Sequence, residues 1–222
     1  MSESPILTGI GGEFRDFSYV LKHYGHEGYE SSWAVASIRT LRTITIGMKS
    51  AANFKIRPAH VDDVPVILQL IRDLATYERA PDEVVATEEQ LMDVLFGERP
   101  VAEVLLAFER ESPVGFAVYF YNFSTWLGRA GLYLEDLFVS PEKRGKGYGR
   151  ALLVELAKIA RERGCGRMEW AVLDWNEPAI KFYRALGAQP MHEWTVFRLT
   201  REEIAKLADA TETAATTEPN KE

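Results

Sequence analysis

The stretch Leu132-Tyr133-Leu134-Glu135-Asp136-Leu137-Phe138-Val139-Ser140-Pro141-Glu142-Lys143-Arg144-Gly145-Lys146-Gly147-Tyr148-Gly149-Arg150 reads as a strand that runs into a glycine-rich loop and then a helix. The helix is announced by Leu152, Leu153, Leu156, Ile159 and Ala160 at helical spacing, and Gly164 is placed to end it. Gly145, Gly147 and Gly149 let the backbone come close to a ligand and leave N–H groups pointing outward. With the helix N-terminus they form a seat for a pyrophosphate, and Lys143, Arg144 and Lys146 add cationic charge beside it. By itself a Gly-x-Gly spacing also describes a tight turn into a helix. A dinucleotide-binding half-domain is the poorer reading, because the unit comes late in the chain and no further parallel βαβ units follow.

Working outward, one unit covers residues 53–208. A strand at 54–57 ends at Pro58, and Asp62 and Asp63 open a helix whose buried stripe is Val64, Ile67, Leu68, Ile71, Leu74 and Ala75. Thr87 and Gln90 form a capping box for a short helix carrying Leu91 and Leu95. Strands follow at 104–108, 114–123 and 132–139, with Ser112-Pro113 and Leu127-Gly128-Arg129 as the turns. After the loop and its helix come a strand at 168–173, a helix at 178–186 and a final strand at 195–199; Thr200 with Glu203 caps a closing helix. The order β-α-α-β-β-β-α-β-α-β describes an α/β fold with a mixed, largely antiparallel sheet flanked by helices. Residues 1–52 are broken by Gly9, Gly11, Gly12, Gly25 and Gly28 and keep no amphipathic period, so they read as a flexible extension or as an in-frame stretch upstream of Met48. Residues 209–222, rich in Thr, Ala and Glu, read as a disordered tail.

The bulk numbers narrow the function. The chain has 222 residues, 46% hydrophobic and 27% charged, enough for one domain with a sizeable core. A formal net charge of −7 argues against a nucleic-acid partner, which needs a basic surface. Cys165 is the only cysteine, which suits a reducing, cytoplasmic setting. His23, His26, His60 and His192 show no ligand spacing, so no metal site is expected. No apolar run approaches the roughly 18 to 20 residues of a membrane span, so no membrane partner is expected.

Arg144-x-x-Gly147-x-Gly149 resembles the acetyl-CoA pyrophosphate motif of the GNAT superfamily of N-acetyltransferases, and the chain is closest to its diamine (spermidine/spermine) acetyltransferase family. Residues 132–139, Trp175-Asn176-Glu177-Pro178-Ala179-Ile180, Phe182-Tyr183-Arg184-Ala185-Leu186-Gly187-Ala188, Ala75-Thr76-Tyr77-Glu78 and Trp126-Leu127-Gly128 are similar to that family's segments in order and spacing, over about 53–208. The resemblance implies a sheet splayed open between the fourth strand and the one at 168–173, with the pantetheine arm of acetyl-CoA bonded to backbone in the gap. It assigns Leu137, Phe138 and Val139 to the pantetheine and thioester, and Arg144, Gly145, Lys146, Gly147, Tyr148, Gly149 and Arg150 to the pyrophosphate. Asn176, Glu177, Pro178 and Ala179 would flank the pantetheine. It also implies a homodimer.

Acyl transfer to an amine needs the neutral amine, yet an alkylammonium has a pKa near ~10.4, so a nearby carboxylate must take its proton. Glu135 matches the family's base, whereas strict strand alternation turns Asp136 to the opposite face. Tyr183 matches the catalytic tyrosine that returns a proton to the departing thiolate. Cys165 has no obvious activating partner and reads as structural. Tyr77, Glu78, Trp126, Glu135, Glu169, Trp170 and Ala171 match the amine channel, so a polyamine or diamine is the first expectation. Ser124 stands where the polyamine enzymes carry an acid, and Met191-His192-Glu193-Trp194-Thr195 also departs from their pattern. A lysine-like amino acid is therefore an alternative substrate. A protein-lysine acetyltransferase and a catalytically weak acyl-CoA-binding module are further alternatives on the same fold.

Overall fold

Strand β2 (Glu103–Glu109) is buried at Val104, Leu105, Leu106, Ala107 and Phe108 in succession. Successive side chains of a strand point to opposite faces, so both faces of this sheet are covered. The computed structural model describes residues 53–213. The extension and most of the tail expected from the sequence lie outside them. The chain divides into two compact units, Met1–Glu169 and Trp170–Glu222.

In the first unit β1 (Phe54–Pro58), β2, β3 (Ser112–Ser124) and β4 (Arg129–Val139) pair antiparallel in sequence order, with β5 (Arg167–Trp170) next to β4. On one face α1 (Val64–Tyr77) and α2 (Glu88–Phe96) bring Ile67, Leu70, Leu74 and Leu95 against Val104, Leu106, Phe108, Phe116 and Phe138. The residues that alternate with these, among them Leu105, Ala107 and Ala117, face the other way, and α3 (Tyr148–Glu162) packs on β2, β3 and β4 with Leu152, Leu153 and Leu156 buried. The chain re-enters the sheet beside the start of β4, where Gly166 N–H donates to Ala130 C=O at 2.8 Å. Four residues of β5 stand beside eleven of β4. The far end of β4, with Leu137, Phe138 and Val139, therefore runs beyond it.

Local chemistry explains the element ends. Gln90 N–H donates to Thr87 Oγ1 (3.2 Å) while Thr87 N–H donates to Gln90 Oε1 (3.0 Å), the reciprocal box expected for α2. Gly164, at φ +66°, closes α3, with Cys165 N–H donating to Ala160 C=O and Gly164 N–H to Arg161 C=O. Asp62 and Asp63 lie in a short 3₁₀ turn (Val61–Asp63) ahead of α1. Asp63 is the N-cap of α1 and is also tied back to β1. Its carboxylate accepts from both Arg57 Nη atoms (2.6 and 2.8 Å) and from His60 N–H (2.7 Å), and the Arg57 bonds hold its pKa below the usual carboxylate range.

The turn between β2 and β3 is formed by Arg110 and Glu111, not by Ser112 and Pro113, which begin β3. Arg110 takes the left-handed conformation, at φ +58°. Beyond Tyr119, the partner of Glu103, β3 pairs only with β4, so the two strands continue as a hairpin arm.

The second unit contains α4 (Glu177–Ala185) and α5 (Arg201–Thr213). Thr200 and Glu203 form the expected box: Thr200 N–H donates to Glu203 Oε2 (2.7 Å) and Glu203 N–H to Thr200 Oγ1 (3.4 Å). The composition change at Asp209 falls inside α5. Two expectations are corrected here. The strand expected at 168–173 stops at Trp170, and the segment expected as a strand at 195–199 is irregular among the described residues. Alternating apolar residues favour an extended chain, but a strand exists only where a neighbour takes up its backbone N–H and C=O groups. No described strand lies after Trp170.

Candidate active site

Glu135 occupies a bulge. In the β3–β4 pairing Val118 faces Asp136 and Tyr119 faces Leu134, so Glu135 is the one residue passed over. Such an extra residue breaks the alternation of the strand and re-aims its neighbours. The expectation that Asp136 turns away is thereby corrected: it stands opposite Val118 on the α1 and α2 face that also carries Phe116 and Phe138. Asp136 is half-buried, and burial first, then the charges of Glu135 and Glu78, push its carboxyl up to about 6. It is the functional candidate that strand alternation missed. Its neighbour Glu135 is visible in the sequence, but the face Asp136 shares with Phe116 and Phe138 depends on the bulge.

Glu78 sits at the C-terminal cap of α1, the negative end of the helix, where a carboxylate gives the helix no support. Burial pushes its pKa up as well. Tyr133 is raised by burial and then by the charges of Glu135 and Glu169, which places it within reach of both acids. Glu169 is already engaged: its Oε2 forms an ion pair with Arg167 Nε at 2.8 Å and accepts from Asn122 Nδ2 at 3.2 Å. Of the sequence-predicted amine contacts in this unit, Glu78, Glu135 and Glu169 are thus linked through Asp136 and Tyr133. Trp126 is not among them. It lies at the hairpin tip beyond the Ser124–Arg129 pair, 89% exposed, and Ser124 Oγ accepts the Leu127 N–H of that turn.

Tyr77 serves the other half of the site. The Arg144 guanidinium carbon lies 4.1 Å from the centre of its ring, and Arg144 Nε donates to Val139 C=O at 2.9 Å. Arg144 is therefore held across the end of β4. Gly145 (φ +78°) and Gly147 (φ +86°) take the left-handed conformation expected of the loop. A Cβ built on Gly145 would meet nothing within 4 Å, so the backbone there faces open space. Gly147 is the N-cap of α3 and brings no side-chain cap, which leaves the first helical N–H groups of Tyr148, Gly149 and Arg150 for a ligand. The expected pyrophosphate fits that arrangement. Tyr148 contributes its side chain elsewhere: the ring stacks on Phe54 (4.2 Å between centroids, 3° between planes). Lys143 and Lys146 both donate to Glu109, and a cleft of about 470 Å³ opens beside them, lined also by Asn53 and Ser112.

Trp170, Ala171, Asn176, Glu177, Pro178, Ala179 and Tyr183 belong to the second unit. Asn176 caps α4, its Oδ1 accepting from Ala179 N–H (3.3 Å), and Pro178 occupies the first turn where its missing N–H costs nothing. Tyr183 packs between aromatic neighbours, with ring centroids 5.1 Å from Trp170 and 5.3 Å from Phe182. Cys165, in the first unit, has its thiol pushed up by burial, which makes it a poor nucleophile. Among the described residues no three His, Cys, Asp or Glu side chains gather as a metal site would need, and no helix is long and apolar enough to cross a membrane.

The Asp136 shift has a consequence for stability. Its folded pKa, about 6, lies above the ordinary value of 3.8. The folded state thus holds the proton more tightly, and stability falls as pH rises from about 4 through about 6. Asp136→Asn should therefore be more stable than wild type at about pH 8, by up to about 3 kcal/mol. The advantage should shrink as pH is lowered to about 4. Thermal melts across that range measure it, and an equal or lower melting temperature at about pH 8 would contradict the strained carboxylate.

A profile of the acetyltransferase (GNAT) family matches residues 67–188, which include β4, the glycine loop and α4. The chain is 44% identical over 164 residues to a thialysine N-epsilon-acetyltransferase of Bos taurus, a match covering 69% of this chain and 96% of that protein. It is 35% identical over 165 residues to the spermidine/spermine N(1)-acetyltransferase-like protein 1 of Homo sapiens, covering 70% of this chain and 24% of that one. Among solved structures, an integron cassette protein from the mobile metagenome of V. cholerae aligns with a TM-score of 0.61 at 30% identity, over 70% of this chain and 98% of that one. GNAT enzymes take their acyl group from acetyl-CoA. On the family match over more than half of its length and on these relatives, this chain belongs to the GNAT acetyltransferase family and is an N-acetyltransferase.

Proposed function

We propose that this enzyme acetylates the terminal side-chain amine of a small, lysine-like amino acid, with a short diamine as the second reading. The observation that carries it is the Arg167–Glu169 pair (2.8 Å), joined through Glu169 to Asn122 of β3. A polyamine offers only cations, and Arg167 offsets the carboxylate that would attract its far end. An amino acid brings an α-carboxylate that a guanidinium can grip with two parallel bonds. The absence of an acid at Ser124, whose hydroxyl serves the hairpin turn, points the same way. The relative named for thialysine supports this reading, and the spermidine/spermine-like relative supports the second.

In the proposed reaction Glu135 takes a proton from the substrate ammonium, directly or through a water, and the freed amine attacks the thioester carbonyl. Glu78 and Asp136 supply negative potential that holds the cation nearby. Backbone groups at Leu137, Phe138 and Val139 hold the donor's arm, and the N–H groups of residues 145–150 hold its pyrophosphate. The C–S bond breaks as the C–N bond forms, Tyr183 gives the departing thiolate its proton, and the second proton of the attacking nitrogen returns Tyr183 to its neutral form, while the proton held by Glu135 passes to solvent. A homodimer in the cytoplasm is part of the same proposal.

Two measurements check this assignment. Release of CoA with lysine, thialysine and ornithine should show a higher kcat/KM than with putrescine, spermidine or spermine. Arg167→Met should raise KM for the amino acids about tenfold and leave the diamines unchanged. Preference for spermine, with no effect of Arg167→Met, would hand the site to polyamines. Separately, Tyr183→Phe keeps the ring packed but removes the proton, so turnover should fall about 10²-fold with acetyl-CoA affinity little changed. Intact turnover would end the acid role of Tyr183.

A further inference from the structure

The glycine loop has little of its own to fix its shape. Gly145, Gly147 and Gly149 lose more conformational freedom on ordering than any other residue type, and the helix it leads into has no side-chain cap. An external group supplies what the loop lacks. Glu109, the last residue of β2, accepts Lys143 Nζ on Oε2 (2.6 Å) and both Lys146 Nζ and Tyr148 OH on Oε1 (2.6 Å each). These three donors come from before the loop, within it and the first turn of α3. Tyr148 is fixed a second time by its stack on Phe54 of β1.

We infer that Glu109 is a positioning residue of the donor site: it staples the phosphate-binding loop to the sheet, and Lys143 and Lys146 act by holding the loop rather than by gripping phosphate. This rests on the reading that the loop binds the acetyl-CoA pyrophosphate. The same three donors hold the Glu109 carboxyl down at about 2, so it stays ionised and the staple stays closed throughout the working pH range. The two lysines and the one carboxylate leave a net positive charge beside the loop, which still draws an anionic donor toward the free backbone N–H groups. Binding then needs less ordering of the loop, because the order is already present.

The opposite role for the lysines makes an opposite forecast. If they bound phosphate directly, Glu109 would be a competitor for them, and its removal would free two cations and tighten donor binding. The sign of the effect of Glu109→Gln on acetyl-CoA affinity, measured by calorimetry on the full chain, therefore decides. We expect Kd for acetyl-CoA to rise about tenfold, with KM for the amine unchanged. Lys143→Met/Lys146→Met should lose a similar factor, and combining it with Glu109→Gln should add little, as expected for members of one network. Hydrogen exchange on the ligand-free proteins supplies the second readout. The amides of residues 145–150 should exchange faster in Glu109→Gln and in the exposed single variant Lys146→Met, with the sheet amides unaltered. Unchanged or tighter acetyl-CoA binding by Glu109→Gln, or unchanged exchange in the loop, would overturn the inference. A wild-type protein that bound no acetyl-CoA would instead overturn the donor-site reading, while the ligand-free exchange would still decide whether Glu109 holds the loop.

Discussion

Strand β4 carries one residue more than β3 can pair between Val118 and Tyr119, and the orientation of every later side chain in that strand follows from it. Leu132 and Leu134 are buried, Glu135 is released from pairing, and Asp136 and Phe138 are set on the face of α1 and α2. Burying Asp136, and setting it within charge reach of Glu135 and Glu78, is unfavourable for its ionised form, and its carboxyl is raised accordingly. The proposed amine site would gain from the same arrangement, because a bound cation offsets the repulsion among these carboxylates. The bulge thus joins backbone pairing and electrostatics in a single position.

At the other end of β4 the problem is reversed. A pyrophosphate seat needs backbone N–H groups unencumbered by side chains, which means glycine, and glycine gives no packing with which to hold a shape. The surrounding residues supply it. Arg144 lies across Val139 C=O and the Tyr77 ring, Tyr148 stacks on Phe54, and Glu109 gathers Lys143, Lys146 and Tyr148. Tyr77 and Glu78, adjacent in sequence, therefore belong to different halves of the proposed site: one stacks on Arg144 and the other lies within charge reach of Asp136.

Much of this was legible in the sequence because it depends on contacts between near neighbours in the chain. The boxes Thr87/Gln90 and Thr200/Glu203, the cap at Gly164 and the loop with left-handed Gly145 and Gly147 all involve residues within a few positions of one another. What escaped depends on pairing across the sheet. A bulge cannot be read from a single strand, so alternation sent Asp136 the wrong way. The segment at 195–199 has the pattern of a strand but no described strand of the second unit beside it. The charge of Lys143 and Lys146 beside the loop is plain in the sequence, while their partner Glu109 stands more than thirty positions earlier, at the end of β2. The engagement of Glu169 with Arg167 and Asn122 likewise shows only in three dimensions.

The central claim is that the residue freed by the bulge, Glu135, accepts the proton of the substrate amine. The most direct measurement is the pH dependence of kcat/KM for Glu135→Gln beside that for Asp136→Asn, on one amine substrate. If Glu135 is the base, Glu135→Gln falls by about 10²-fold near pH 7 and recovers toward high pH as free amine appears, while Asp136→Asn keeps most of its rate. Near-normal turnover by Glu135→Gln, with the loss and the high-pH recovery found in Asp136→Asn instead, would contradict the account and transfer the proton to Asp136.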